Sequence, residues 1–318
     1  MPAMTQDRDR DRDRGSVTPI VALALVPMMM IAALIVDSGR VWLDRQRVQT
    51  GAEAALSAAS VAWVTTGSAC EPAALELAMA NVDNDAVVSC AVTGNRYDGR
   101  IDVTVSHDVD TRFARLLGRT ETGVSSDVGA VVGGATSIVG VRPLALCIHQ
   151  PDIAAWLSSG YTAAGLVTIG LGSGSNCAGG VPGNWGIIDL NGGANSNAET
   201  QAWIDAGFPH PVTVPGTYEG EPGIPSPSIG IEAIIGETVV IPLYDAAVGS
   251  GAIAQFELVS FAAITIHSAE LTGPAAGRHL VVSFEMMVLD GPCCTSGARN
   301  AGVTAWRFCA LDDQGDCP

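Results

Sequence analysis

The chain has 318 residues, of which 16 are basic and 33 acidic, for a formal net charge of −17. That length carries one or two domains beyond any membrane segment, and the acidity excludes nucleic acid as a partner, because a polyanion would be repelled. Every basic residue is Arg, so a P-loop lysine is excluded too.

The first fifteen residues read as a tail. Asp7 to Arg14 alternates Asp with Arg and cancels its own charge, so the remainder carries the whole net negative charge. Val17 to Val36 then runs without a charged side chain. At about 1.5 Å per helical residue it reaches roughly 30 Å, the thickness of a bilayer core. Pro19 falls in the first turn, where a missing N–H costs nothing. Pro27 lies mid-span, where membrane helices tolerate a kink. A cleaved signal peptide and a buried soluble helix are the rival readings. The run passes straight into Asp37-Ser38-Gly39-Arg40 with no small-x-small cleavage site, which favours an uncleaved anchor. Arg8, Arg10, Arg12 and Arg14 precede the span and Arg40, Arg45 and Arg47 follow it, a slight lean towards a cytoplasmic N-terminus.

Cysteine usage orients the anchor further. All eight cysteines follow the span: Cys70, Cys90, Cys147, Cys177, Cys293, Cys294, Cys309 and Cys317. An even number without CxxC spacing reads as disulfides, with reduced, buried thiols as the rival, and disulfides need an oxidising compartment. Sequence proximity favours Cys70–Cys90, Cys147–Cys177 and two bonds among the last four. Adjacent cysteines seldom bond each other, so Cys293 and Cys294 are expected to diverge to Cys309 and Cys317 and staple the C-terminus.

Beyond Val36 the helical pattern continues. Val41, Val48, Ala52, Ala55, Leu56, Ala59 and Trp63 recur at three-, four- and seven-residue spacing, and no proline interrupts Asp37 to Trp63. Ala and Leu are strong helix formers, so the span is expected to extend as one rod of forty-odd residues. Its small-residue stripe is expected to pack on the protein's own domain.

Arg14-Gly15, Asp37-Ser38-Gly39-Arg40, Gln49 and Glu53-Ala54-Ala55-Leu56 stand where TadE/TadG-like proteins of Flp-type (tight adherence) pilus assembly carry their N-terminal motif. The segment resembles that family over about fifty residues, with Gly15, Asp37, Gly39, Arg40, Gln49 and Glu53 as its motif positions. The resemblance implies a membrane-anchored, non-enzymatic pilus-assembly or minor-pilin-like component, with the membrane and pilus-assembly proteins or pilin-like subunits as partners. Pilins of that system are cut after a Gly followed five residues on by Glu. Gly15 is followed by Ser16-Val17-Thr18-Pro19-Ile20, so the uncleaved, TadG-like type is expected. Some TadG-like proteins carry a metal-binding Asp-x-Ser-x-Ser run after a strand. The strand candidate Leu144–Gln150 is followed by Pro151-Asp152 instead, which excludes that site.

In the body, Glu71–Val82 reads as a helix. Val87–Val92 and Arg100–His107 read as a hairpin with an extended turn over Gly94–Gly99, Thr111–Leu117 as a short helix capped by Gly118, and Val124–Val132 as a strand. Gly133-Gly134 marks a boundary near residue 135. Beyond it the strand candidates are Ile138–Ile148, Leu166–Leu171, Gly186–Leu190, Thr238–Leu243, Ala254–His267, Leu280–Leu289 and Gly302–Leu311, with one clear helix at Ala198–Ala206. Phe256–Ile266 suits a buried central strand. The prolines of Pro209–Ser228 argue for a loop.

No catalytic, cofactor or metal residue is assigned. Asp189–Asn197 could be a calcium loop, but it lacks an acid at the fifth position and the glutamate at the twelfth, so a hydrogen-bonded turn is the better reading. Gly170–Ser175 is a weak glycine loop. His107, His149, His210, His267 and His279 are scattered without HExxH spacing. The expected fold is therefore α+β: a transmembrane helix continuing into a long helix packed on a small sheet, followed by a mainly β C-terminal domain. The expected division is 1–15 cytoplasmic tail, 16–36 transmembrane helix, 37–135 helix with a small α+β unit, and 138–318 mainly β and extracytoplasmic, on a bacterial cell membrane. An anchored surface binding or adhesion module unconnected to a pilus is the alternative function, and an anchored hydrolase with an unseen site is a third.

Overall fold

The computed structural model describes residues 17–68, 70–83, 85–162, 165–170, 184–193, 196–222, 230–250, 253–270, 279–294 and 298–309. Helix α1 is a single rod, Val17–Thr66, of 50 residues that passes through Pro27. Its first part has an 18-residue window of mean hydropathy 2.6 with no residue buried, long and apolar enough to cross a membrane. Its second part buries Val48, Ala52, Ala55, Leu56, Ala59, Trp63 and Val64. Helix α2, Cys70–Asn81, folds back on that face. Gly51 is what permits the closest approach: a Cβ there would stand 2.6 Å from Val82 Cγ2.

Strands β1 (Val87–Asn95) and β2 (Asp98–Asp110) form the expected hairpin, but its turn is tight. Pairing runs out to Asn95↔Asp98 and leaves only Arg96 and Tyr97 between the strands. Asn95 Oδ1 accepts from the backbone N–H groups of Tyr97 and Asp98, which closes the turn. A 3-10 turn, Ala114–Leu117, follows and ends at Gly118 in the left-handed region (φ 84°), which only glycine adopts freely. Strand β3 spans Glu121–Gly134.

The second half holds β4 (Ser137–Ile138), β5 (Leu146–Cys147), α3 (Pro151–Ser158), β6 (Val167–Gly170), β7 (Asn184–Asp189), α4 (Asn197–Ala206), β8 (Val212–Thr213) and β9 (Gly216–Pro222). It continues with β10 (Thr238–Val248), β11 (Gln255–Glu270), β12 (His279–Glu285), β13 (Met287–Asp290) and β14 (Val303–Cys309). The expected strand Ile138–Ile148 is broken: it pairs at Ile138 and at Leu146–Cys147, with one isolated bridge from Leu144 to Ile187, because Gly140 turns left-handed (φ 87°) and Pro143 cannot donate. Helix α3 was not foreseen; Pro151 opens it at the position where proline is tolerated. The proline-rich stretch holds a strand, β9, because residues 216–221 between Pro215 and Pro222 are free of proline. Helix α4 is capped by a reciprocal Ser196–Glu199 box.

Two main sheets result. One has the order β1-β2-β3-β14-β13; the other runs β5-β10-β11-β12-β6, with β9 pairing both β11 and β7. The first sheet draws strands from both sides of residue 135. The C-terminal strands β13 and β14 do not stay with residues 138–318; β14 pairs antiparallel with β3, from Thr304↔Gly134 to Cys309↔Gly129. A division at residue 135 therefore cuts a continuous sheet, which short-range sequence signals cannot reveal.

Three apolar clusters fill the layers. One lies between α1, α2 and the first sheet, around Leu56, Trp63, Ile101, Val103 and Trp306. A second joins the other side of the first sheet to the second sheet, around Val303, Ala305, Phe256, Leu258 and Phe261. The third covers the far side of the second sheet, around Ile241, Leu243, Ile264, Ile266, Trp156 and Phe284. Strand β11 feeds both of the last two, so its apolar run is nearly continuous rather than alternating.

Cys70 is bonded to Cys90, tying α2 to β1. Cys293 and Cys294 are bonded to each other, which corrects the expectation that they diverge. The chain returning from β13 crosses the end of β3 here: Ala135 bridges to Cys293 and Gly134 accepts from Cys294 N–H, so both cysteines are held at one point. Cys147 and Cys309 are also disulfide-bonded. Cys177 and Cys317 lie outside the described residues.

Candidate functional site

The motif positions do not converge on one chemical site; they mark the foot of the long helix. Gly15 lies outside the described residues. Asp37, one residue beyond the apolar span, is buried. Its carboxylate accepts three backbone N–H bonds, from Arg112 at 3.0 Å, Phe113 at 3.0 Å and Ala114 at 2.7 Å. These are the donors at the start of the 3-10 turn, which has no cap of its own, so Asp37 supplies the missing acceptor across the fold. Burial alone would raise the Asp37 carboxyl. The three backbone donors, with Arg40 nearby, outweigh it and hold the group below the ordinary aspartate value of 3.8.

The clamp has a pH signature. A depressed carboxyl contributes stability above its ordinary value, and the contribution is lost as pH falls through the lower value of the folded chain. Asp37→Ala should free the loop after β2 at any pH. Limited trypsin digestion should then cut faster after Arg112, Arg115 and Arg119 in the variant than in the parent at neutral pH. Equal cutting rates would show that the clamp does not order the loop.

The other motif residues divide between two faces. Arg40 lines a polar cleft of about 350 Å³ with Leu43, Asp44, Arg47, Asp83, Asp85, His107, Asp108, Val109 and Asp110. Arg47 pairs with Asp44 at 3.0 Å. His107 Nδ1 stands 3.0 Å from Asp85 Oδ1 without hydrogen-bond alignment, so that contact becomes an ion pair only when the ring is protonated. No group of His, Cys, Asp and Glu among the described residues is arranged to hold a metal. Gln49 and Glu53 lie on the outward face of α1, bonded to each other at 3.1 Å. A Cβ at Gly39 would meet nothing within 4 Å.

The described motif positions, Asp37 to Glu53, fall on one helix that passes from an apolar span into a folded body. Residues 15–65 match the Flp pilus-assembly TadE/G-like family. The TadE/G-like segment is thus essentially α1. No curated protein and no solved structure matches the chain.

A second cleft, of about 390 Å³, lies away from the TadE/G-like segment and is lined by Ile148, His149, Ala154, Leu157, Ser158, Tyr161, Arg299 and Asn300. At its rim Asp245 Oδ1 lies 2.6 Å from His149 Nε2 and 3.3 Å from Arg299 Nη1. Ser158 Oγ donates to the Ala155 carbonyl of its own helix, so it is not aligned as a nucleophile. Asp189 Oδ1 accepts from the N–H groups of Asn191 and Gly192, a turn rather than a calcium ligand set, although Ala194 and Asn195 of that run lie outside the described residues. Of the glycine-rich run, only Gly170 is described.

Tyr161 connects the two halves. It donates to Asn300 O at 2.9 Å and packs edge-on to Tyr97, whose hydroxyl donates to Gly160 O. Asn300 in turn donates to Tyr97 O. The Tyr161 phenol is pushed up to about 12, by burial first and by Tyr97 second. Stability from this group is complete below the ordinary tyrosine value of 10.0 and falls as pH rises towards 12, because the unfolded chain releases the proton first. Ultraviolet titration should show one tyrosine ionising near 12 that vanishes in Tyr161→Phe. A high-pH titration unchanged in Tyr161→Phe would refute the seam geometry.

Proposed function

We propose that the protein is a non-enzymatic, single-pass membrane component of Flp/Tad-type pilus assembly, with a cytoplasmic N-terminus and an extracytoplasmic body. The observation that carries this reading is the unbroken helix Val17–Thr66, whose family-matched residues run from the apolar span into the core of the body. A rod of that kind transmits position: what binds the span in the membrane is fixed relative to what binds the domain outside. The outward face of α1 and the domain it carries then meet pilus-assembly proteins or pilin-like subunits. The disulfides support the extracytoplasmic side, since such bonds persist in an oxidising compartment.

Affinity purification of the native complex from membranes should recover pilus-assembly proteins, and loss of the chain should abolish piliation and surface attachment. Unchanged piliation in its absence would overturn the assignment. A C-terminal reporter active only outside the cell should be active, and activity of a cytoplasmic reporter would reverse the topology.

A further inference from the structure

The loop between β2 and β3, Thr111–Thr120, lies beside the foot of the apolar span. It is built as a closed unit: Thr111 N–H donates to Thr120 O, the Thr111 hydroxyl donates to Arg119 O, and Gly118 ends the 3-10 turn. Its tip carries Phe113, Leu116 and Leu117, which are 44%, 84% and 82% exposed. The two leucines are the most exposed large apolar side chains among the described residues. Arg112, Arg115 and Arg119 alternate with them on the same exposed loop.

Placement decides what covers these groups. The loop backbone is bonded to Asp37, the first residue past the apolar span. Ala33, one turn inside the span, is the first position of α1 that is not fully exposed, so coverage of the helix begins at that depth. With Val17–Val36 as the span, Asp37 and its bonded loop fall at the level of the headgroup layer, which extends about 5–7 Å beyond each side of the hydrocarbon core. Trp42 and Leu43, both exposed, stand one turn further out, at the level where aromatic residues favour the interface.

Charge points the same way. Half of the arginines beyond the N-terminal tail are Arg40, Arg45 and Arg47, on the turns of α1 that follow the span, and Arg112, Arg115 and Arg119, on the loop. We propose that the loop lies in the lipid surface, with Phe113, Leu116 and Leu117 in the acyl boundary and Arg112, Arg115 and Arg119 on anionic phosphate headgroups. Such a pairing of apolar side chains with flanking arginines is the chemistry of an interfacial anchor. The loop would fix the tilt of the rigid α1 against the bilayer plane, since Asp37 couples the two. The inference rests on the reading of Val17–Val36 as a membrane span and holds for either orientation of the chain.

The test uses the full chain in vesicles of phosphatidylcholine with and without phosphatidylglycerol. A photoreactive benzoylphenylalanine replaces Met29, Leu117 or Val248 in turn, and lipid adducts are read by mass spectrometry. Adducts are expected at positions 29 and 117 and not at 248. Adducts at 29 without any at 117 would overturn the loop contact while leaving the span intact. No adduct at 29 would overturn the span itself. Crosslinks from 117 to a second protein chain instead of lipid would also overturn the proposal. The combined Arg112→Gln, Arg115→Gln and Arg119→Gln variant should lower the yield at 117 on phosphatidylglycerol vesicles by roughly five-fold or more, leaving 29 unchanged. An unchanged yield at 117 would refute the headgroup contact.

Discussion

Trp306→Ala should destabilise the region around α1, not only the C-terminus in which the residue lies. Trp306 is 3% exposed and sits in the cluster formed by α1, α2 and the first sheet, beside Trp63, Ile101 and Val132. Its strand, β14, is the fourth of that sheet, inserted between β3 and β13. Truncating a buried tryptophan costs about 3–5 kcal/mol, the lost transfer energy plus the cavity that remains. The cavity would open in the cluster that also holds the small-residue face of α1, which has little side-chain volume with which to collapse into it. Hydrogen exchange of the full chain in detergent should therefore show amides of α2, β1 and β2 losing protection. The half-exposed neighbour Phe308, at 5.3 Å between ring centres, is the control. Phe308→Ala should change stability by less than about 1 kcal/mol. Loosening confined to residues after 138 in Trp306→Ala would mean that the two units fold separately.

That expectation could not have been drawn from the sequence, and the reason is the range of the contact. Periodicity reports which face of an element is apolar, so α1, α2, the β1–β2 hairpin and β11 were legible from their own residues. It does not report which element covers that face. Gly302–Leu311 reads as a strand from its composition, yet nothing within it distinguishes an edge of the second sheet from a filler of the first. The break in Ile138–Ile148 has the opposite origin. The apolar run was real, but its buried residues divide between two clusters while Gly140 and Pro143 interrupt it as a strand.

The same distinction applies at the helix foot. Asp37, Gly39 and Arg40 stood out as a motif, but their roles differ once partners are known. Asp37 is an acceptor for a turn that lies far along the chain, and that turn shows no sequence sign of needing an external cap. Arg40 faces a cleft whose acids come from α1 itself, from the α2–β1 connection and from β2. Gln49 and Glu53 satisfy each other on the surface, so nothing within the fold requires them. Under the proposed function, their place in the motif would follow from assembly partners binding the outward face of α1. The loop leucines at 116 and 117 were the least legible feature, because a lone apolar pair in a turn acquires meaning only from its depth beside the span.

Removing the Cys70–Cys90 bond should cost about 3 kcal/mol. The bond closes a segment with a sequence separation of 20 residues, and the entropy withheld from the unfolded chain by a loop of that size is of this magnitude. Cys70 opens α2 and is buried against the face that α2 turns to α1, so the bond also holds the helix over the hairpin. The Cys70→Ala, Cys90→Ala double variant keeps the other bonds and should unfold at lower denaturant concentration by that amount. Reducing agent should bring the parent towards the variant. The compartment then matters directly, because this stabilisation is available only where the bond can form. Protein taken from native membranes with free thiols trapped at once should carry none at positions 70 and 90. Alkylation of both would place the body in a reducing compartment, and the extracytoplasmic orientation would fall with it, whereas the lipid contact of the loop after β2 would stand.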